Sequence, residues 1–154
     1  MYQYTEFDRQ FIRSRAEQYR DQLERNLAGT LGDEEFKPLR LQNGWYVQRY
    51  APMLRVAVLY GERSSTQLRV LANVAREYDQ PDAKLLADAQ ATQDKLGMIP
   101  LHNGQMIGSK LKFGYGHFTT RTNVQFNWIP LAKSADVMEL LADVQLHGIQ
   151  TSGN

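Results

Sequence analysis

Two stretches of this chain carry residues whose types and spacing could do chemistry. The first is Arg55. It stands inside Met53–Leu59, where every other residue is apolar. A guanidinium taken out of water costs several kcal/mol unless it is paired. Three arrangements relieve that cost: the side chain snorkels from a strand end, it pairs with an internal Asp or Glu, or it points into a cleft that receives an anion. The second stretch is Phe118–Trp128. Read as one strand, it sends Phe118, Thr120, Thr122, Val124, Phe126 and Trp128 to one face and Thr119, Arg121, Asn123, Gln125 and Asn127 to the other. The first face suits a core. The second is a row of hydrogen-bonding side chains with one guanidinium. A solvated outer sheet face has the same period, but Arg with three amides forms a donor-rich face suited to carboxylates. His117, just before this row, reads either as a structural hydrogen-bonder or as part of the site.

Other chemistries are excluded or weak. The 154 residues contain no cysteine, so no disulfide, thiolate zinc site or Cys-ligated iron–sulfur cluster can form within them. His102, His117 and His147 lack metal-ligand spacing, and there is no P-loop, GxGxxG or nucleophile elbow. Eighteen basic against seventeen acidic residues give a net charge of +1, so any anion site is local rather than a basic surface. Lys112–Phe118 (KFGYGHF) is faintly similar to an RNA-binding RNP1 strand. Phe113 sits where a Gly is wanted, and the strand Met53–Tyr60 lacks the exposed aromatic that would stack a base. An RRM-like RNA binder is the remotest alternative, and no nucleic-acid partner is expected.

The elements that must position these residues follow from periodicity. At this length one domain is expected. Thr5 and Asp8 have capping-box spacing, and Phe7, Phe11, Ala16, Tyr19, Leu23 and Leu27 give an amphipathic helix ending near Gly29 or Gly32. Gln42–Tyr50 reads as a strand, interrupted by Pro52, and Met53–Tyr60 as a second, buried one closed by Gly61. Ser64 or Ser65 caps a helix with Leu68, Leu71, Ala72, Ala75 and Tyr78 inward. Gln80–Phe113 reads as an insertion, with a helix around Asp82–Leu96 and little periodicity after it. After Phe118–Ile129, Ser134 caps a helix carrying Val137, Leu140, Leu141 and Val144. Gly148 ends it, and Ile149–Ser152 reads as a short last strand. Strand–helix–strand–helix–strand, with the long middle strand bending or splitting, is an α+β, ferredoxin-like order with helices on one face of an antiparallel sheet. The expected organisation is a helical extension over 1–40 and a half-domain over 41–154, with the insertion at 80–113. The most apolar stretch, Ala51–Tyr60, is ten residues long, against about 20 for a membrane span. Met1–Gln10 has no apolar run of the signal-peptide kind. The expectation is a cytoplasmic protein with no membrane partner.

Taken together, Gly114–Trp128 (GYGHFTTRTNVQFNW), Leu41–Tyr50 (LQNGWYVQRY), Met53–Val58 (MLRVAV) and the Ser64–Tyr78 helix resemble the N-terminal region of the sulfite/nitrite reductase haemoprotein family. Within it they are most similar to the sulfite reductase haemoprotein β-components. Members carry a G-x-Y-x-Q strand, an M-L-R strand and a G-H-x-T-T-R-Q-N-x-Q run, and Ile149–Asn154 (IQTSGN) matches as well. The resemblance implies an oxidoreductase that binds sirohaem coupled to a [4Fe–4S] cluster and reduces sulfite or nitrite by six electrons. It implies a ferredoxin-like half-domain that shares the sirohaem with the rest of the parent enzyme. Carried over by position, Arg55 contacts the substrate anion. Gln48, Arg121, Asn123 and Gln125 lie at the sirohaem, Arg121 through its carboxylates, and His117 falls where a carboxylate-binding residue can occur. Thr122 stands where the family commonly has Gln. The cluster cysteines and substrate lysines of the family fall beyond the positions matched here. The expectation is therefore an N-terminal part, inactive alone, whose partners are the remaining reductase domains, a flavoprotein or ferredoxin donor and a small inorganic anion. The alternative is a free-standing ferredoxin-like module that binds a tetrapyrrole or small anion without turnover.

Overall fold

The computed structural model describes residues 3–48, 51–84, 86–88, 91, 105–107, 110–112 and 116–152. The fold is α+β, and a long N-terminal helix comes first. Helix α1 (Glu6–Leu27) starts where the sequence places it. Thr5 Oγ1 accepts from Asp8 N at 3.2 Å, and Asp8 accepts from Thr5 N at 2.8 Å. This reciprocal cap satisfies donors that the first turn leaves open. The buried stripe is Ile12, Ala16, Tyr19 and Leu23. Its spacing of four, three and four residues keeps it on one face. Ala16, Tyr19 and Leu23 of the expected stripe are buried, whereas Phe7, 76% exposed, Phe11 and Leu27 face outward and Ile12 joins the core instead. Phe7 and Phe11 stack on each other with ring centroids 6.5 Å apart.

Gly29, at φ +76°, breaks α1, and α2 (Asp33–Gln42) follows. This helix was not anticipated. It takes up Gln42, so the next strand, β1 (Trp45–Gln48), starts at Trp45, and residues 49 and 50 of the expected strand lie outside the described residues. Pro38 lies in its second turn, where the missing N–H removes one intrahelical bond. Phe36 is buried against Tyr19 at 5.7 Å, and Tyr19 stacks on Trp45 at 6.4 Å. Such aromatic pairs add about 0.5–1.5 kcal/mol beyond their area. The 1–40 segment thus shares one core with the sheet: Ile12, Tyr19 and Phe36 cluster with Leu54, Val56, Val124, Phe126, Val137 and Leu141.

The sheet is four-stranded and antiparallel, in the order β1–β2–β6–β5. Strand β2 is Ala51–Ala57, β5 is His117–Phe118 and β6 is Asn123–Phe126. Pro52 lies within β2, opposite Val47, rather than before it. Helix α3 (Ser65–Asn73) follows β2 and runs on as a wider turn through Tyr78. Ser64 caps it in a reciprocal box with Gln67. Its inward residues are Leu71 and Val74, and Leu68 is exposed. Helix α4 (Ser134–Asp143) packs on α1 through Val137, Met138, Leu141 and Ala142. Ser134 is its first residue and makes no cap bond. Its hydroxyl instead meets Tyr19 OH at 2.9 Å and the Leu131 carbonyl at 2.6 Å.

Two further expectations are corrected. Ile149–Ser152 is not a strand: the chain turns there, Gln150 N donates to Gln42 O at 2.9 Å, and just before it His147 O accepts from Ala57 N of β2 at 2.9 Å. The stretch Phe118–Ile129 is not continuous either. It reverses through Thr119–Thr122, so β5 and β6 form a hairpin closed by Thr119 N to Asn123 O at 2.8 Å. Within 80–113, residues 83–84, 86–88 and 91 are helical, and β3 (Gln105–Ile107) pairs antiparallel with β4 (Lys110–Lys112). Asp82 precedes these helical residues, and residues 85, 89–90 and 92–96 of the expected helix, with Gly114 and Tyr115 of the Gly114–Trp128 motif, lie outside the described residues. No helix among the described residues is long and apolar enough to cross a membrane.

Candidate functional site

Strand register brings three of the expected site residues into one line. Arg55 of β2 pairs with Gln125 of β6, and Gln125 pairs with His117 of β5. Directly opposed residues of antiparallel strands share a face, so His117, Gln125 and Arg55 form a row across the sheet. It lies on the face opposite Leu54, Val56, Val124 and Phe126, which line the core.

Arg55 is half-buried, and its guanidinium is held by neutral acceptors. Nε donates to Gln125 Oε1 at 3.1 Å, and Nη1 approaches the Thr151 carbonyl at 3.5 Å. No carboxylate pairs with it among the described residues. Of the three arrangements open to it, the internal Asp or Glu partner is therefore absent among them. Its backbone is clamped too. Arg55 N donates to Gly44 O at 3.0 Å, and the Thr151 hydroxyl lies 2.9 Å from Arg55 O and 2.6 Å from Gly148 O. Three chain segments meet here with no room for side chains. A Cβ on Gly44 (φ +86°) would come within 2.7 Å of Arg55 O, and one on Gly148 would do the same. Glycine is required at Gly44 by both its φ and this approach.

Behind Arg55 lies a buried amide chain. Gln125 is 8% exposed and Asn127 is 2% exposed. Gln125 Nε2 donates to Asn127 Oδ1 at 2.8 Å and approaches Met53 Sδ at 3.6 Å. The backbone N–H groups of Asn127 and Trp128 both donate to Asp79 Oδ1, at 3.2 and 2.7 Å. Asp79 is fully buried at the end of the α3 extension. It thereby fixes the place where β6 ends.

The hairpin separates the remaining residues from this row. Arg121 sits in the turn, exposed, with no bond or ion pair from its guanidinium among the described residues. The turn itself is ordered. Arg121 O accepts from Thr122 Oγ1 at 2.7 Å and from Asn123 Nδ2 at 3.0 Å, and Thr122 O accepts from Val58 N at 2.8 Å. Thr122 takes φ +55°, an outlying conformation for a β-branched residue. The alternation that put Thr119 and Arg121 on the same face as Gln125 therefore fails at this reversal. Asn123 remains in register, opposite Ala57. The backbone of Gln48 pairs with Ala51 at the other edge of the sheet, and its side chain lies outside what the structure describes.

Several residues of the site were not singled out from sequence. Gly44 carried a usable signal, since it adjoins the start of β1, whereas Gly148, read from sequence as the stop of the last helix, lies beyond α4, which ends at Asp143. Asp79 and Thr151 carried none, because their partners lie about fifty and one hundred residues away in the chain.

A second polar cluster joins the chain's two ends. Tyr4 OH lies 3.0 Å from His147 Nε2, and Arg63 bonds the carbonyls of Ala57 and Glu62. Burial, reinforced by the nearby Arg63 charge, lowers the His147 pKa. Tyr4, Ala57, Arg63, Gln67 and Gln145 line a cavity of about 20 Å³ between them, room for about one water. Among the described residues no group of three or more His, Cys, Asp or Glu could hold a metal ion. No protein-family model, curated protein or solved structure matches the chain.

Proposed function

We propose that this chain supplies a sirohaem- and anion-facing half-domain of a sulfite or nitrite reductase haemoprotein. The observation that carries the proposal is Arg55: a half-buried guanidinium in a cross-strand row, held only by neutral acceptors. Its charge is uncompensated among the described residues, and one edge of the group, Nη2, is unbonded there. An anion is the natural complement to such an edge.

The fold supports the same reading. Strand β2, helix α3, the β5–β6 hairpin and helix α4 follow one another in the order of a ferredoxin-like unit. Strand β6 lies between β2 and β5, and the chain returns beside β2 after α4. The donor set also fits a macrocycle rich in carboxylates. Arg121 and Asn123 lie at the hairpin, His117 on an exposed edge strand and Gln48 at the opposite edge. Sirohaem, coupled to a [4Fe–4S] cluster held elsewhere in the reductase, would relay electrons from the external donor and provide the site of the six-electron reduction. The part taken by this chain is binding and charge. Arg55 would hold an anionic oxygen of sulfite or nitrite and stabilise its negative charge. Arg121 and its neighbours would anchor carboxylates, as exposed surface donors can. The electron donor, flavoprotein or ferredoxin, would dock on the assembled enzyme.

The test uses the polypeptide carrying this chain, purified from cells that make sirohaem. Sirohaem absorption bands are expected. Arg121→Ala should lower sirohaem content. Arg55→Ala should retain sirohaem but lose the spectral response to sulfite. Bound sirohaem with no sulfite reduction under a chemical reductant would favour a binding module instead. Variants indistinguishable from wild type would overturn the proposal.

A further inference from the structure

We infer that Gln125 is a positioning residue for Arg55, which sets the guanidinium so that its Nη2 edge faces the anion. The inference rests on the proposed role of Arg55 and assigns Gln125 a different task from a direct cofactor contact. Arginine has donors only, so the Gln125 group facing Arg55 Nε must be the amide oxygen, and it is, at 3.1 Å. That choice turns Gln125 Nε2 away, toward Asn127 Oδ1 at 2.8 Å. Asn127 must then present its oxygen, and its backbone N–H is fixed by Asp79. Each link determines the next, and the chain of bonds starts from a carboxylate that is itself buried. With both amide atoms engaged and 8% exposure, Gln125 has little left to offer a ligand. It instead removes the freedom of a long side chain that would otherwise lose rotamer entropy when an anion binds.

The neutrality of Gln125 matters as much as its geometry. Glutamate at this position would hold Arg55 equally well but would neutralise it. The two functions, holding and leaving charge free, can therefore be separated by substitution.

The experiment follows the arginine Nε–H signals of the ¹⁵N-labelled protein by NMR during titration with sulfite. Arg55→Ala identifies the Arg55 signal. In wild type this signal should be protected from solvent exchange and should shift with sulfite. Gln125→Leu should abolish the protection and weaken sulfite binding at least about tenfold, the size expected for one charge-assisted bond. Gln125→Glu should keep the protection yet weaken sulfite binding more than Gln125→Leu does. Retained protection and wild-type affinity in Gln125→Leu would overturn the inference while leaving the role of Arg55 intact. If Gln125→Leu does not fold, Gln125→Glu decides alone, and unchanged affinity there would overturn it. Wild-type affinity in Arg55→Ala, or no response of the wild-type signal, would overturn the anion reading itself.

Discussion

Two arginines of one small sheet live in opposite surroundings. Arg55 sits mid-strand, its backbone pinned by Gly44, Gly148 and Thr151 and its guanidinium by Gln125. Arg121 rides a hairpin turn whose backbone is ordered but whose side chain is exposed and unbonded among the described residues. The difference teaches what each charge is suited to do. A fixed guanidinium can discriminate a small anion at one point. A free one can follow a large carboxylate-bearing ligand but stabilises nothing in its absence. Substitutions near Arg55 should therefore disturb the fold and the site together, while those at Arg121 should touch binding alone.

The largest effect should come from the backbone clamp. Gly44→Ala places a Cβ within 2.6–2.8 Å of three atoms at φ +86°. Left-handed strain and overpacking together should cost about 2–5 kcal/mol, read as a lowered urea midpoint. Asp79→Ala comes next. It strands two buried backbone donors, of Asn127 and Trp128, for about 2–4 kcal/mol. Asp79→Asn, which keeps an acceptor, should recover part of that. Gln125→Leu should cost about 1 kcal/mol in the same assay and should leave the hairpin amide signals unchanged.

A pH effect falls on the same side of the comparison. His147 carries the carbonyl that bonds β2 and precedes Gly148 in the clamp. Its pKa is lowered in the fold from an ordinary 6.5. The unfolded chain therefore takes up this proton first. The stabilisation is present above about pH 6.5 and is lost as pH falls through the lowered value. Tyr4 and Arg63 are the groups that face it. Urea midpoints should decline below neutral pH, before the carboxylates titrate, and His147→Gln should flatten that decline. The smallest effect is at the hairpin. Arg121→Ala should change stability by less than about 0.5 kcal/mol, so any loss of ligand there is a loss of contact.

Much of this contrast was legible in the sequence, for identifiable reasons. Arg55 stood out because a charge inside an apolar strand needs an explanation, and the structure removes one of the three by giving it no carboxylate partner among the described residues. The caps at Thr5 and Ser64 are local, and their spacing sufficed. Alternation read Gln125 and Asn123 correctly as sharing a face, but it carried that face through Arg121. It failed because residues 119–122 contain no Gly or Pro to mark a turn. The reversal is held instead by Asn123 Nδ2 on Arg121 O and by Thr122 at positive φ. Helix α2 was hidden for the opposite reason, since Pro38 reads as a breaker. In α1, Phe7 and Phe11 look like core residues by type but face outward, while Ala16, Tyr19 and Leu23 pack inward as the spacing implies. Only the position of α4 selects Ile12 instead. Asp79 and Thr151 act across long separations that no local pattern reveals.

The most direct test of the central claim is the sulfite dissociation constant of the sirohaem-loaded protein, in wild type and in Arg55→Ala, at matched sirohaem content. A weakening of at least about tenfold, with sirohaem retained, is the expected result. Equal affinity in the two proteins would contradict the assignment of Arg55 as the anion contact.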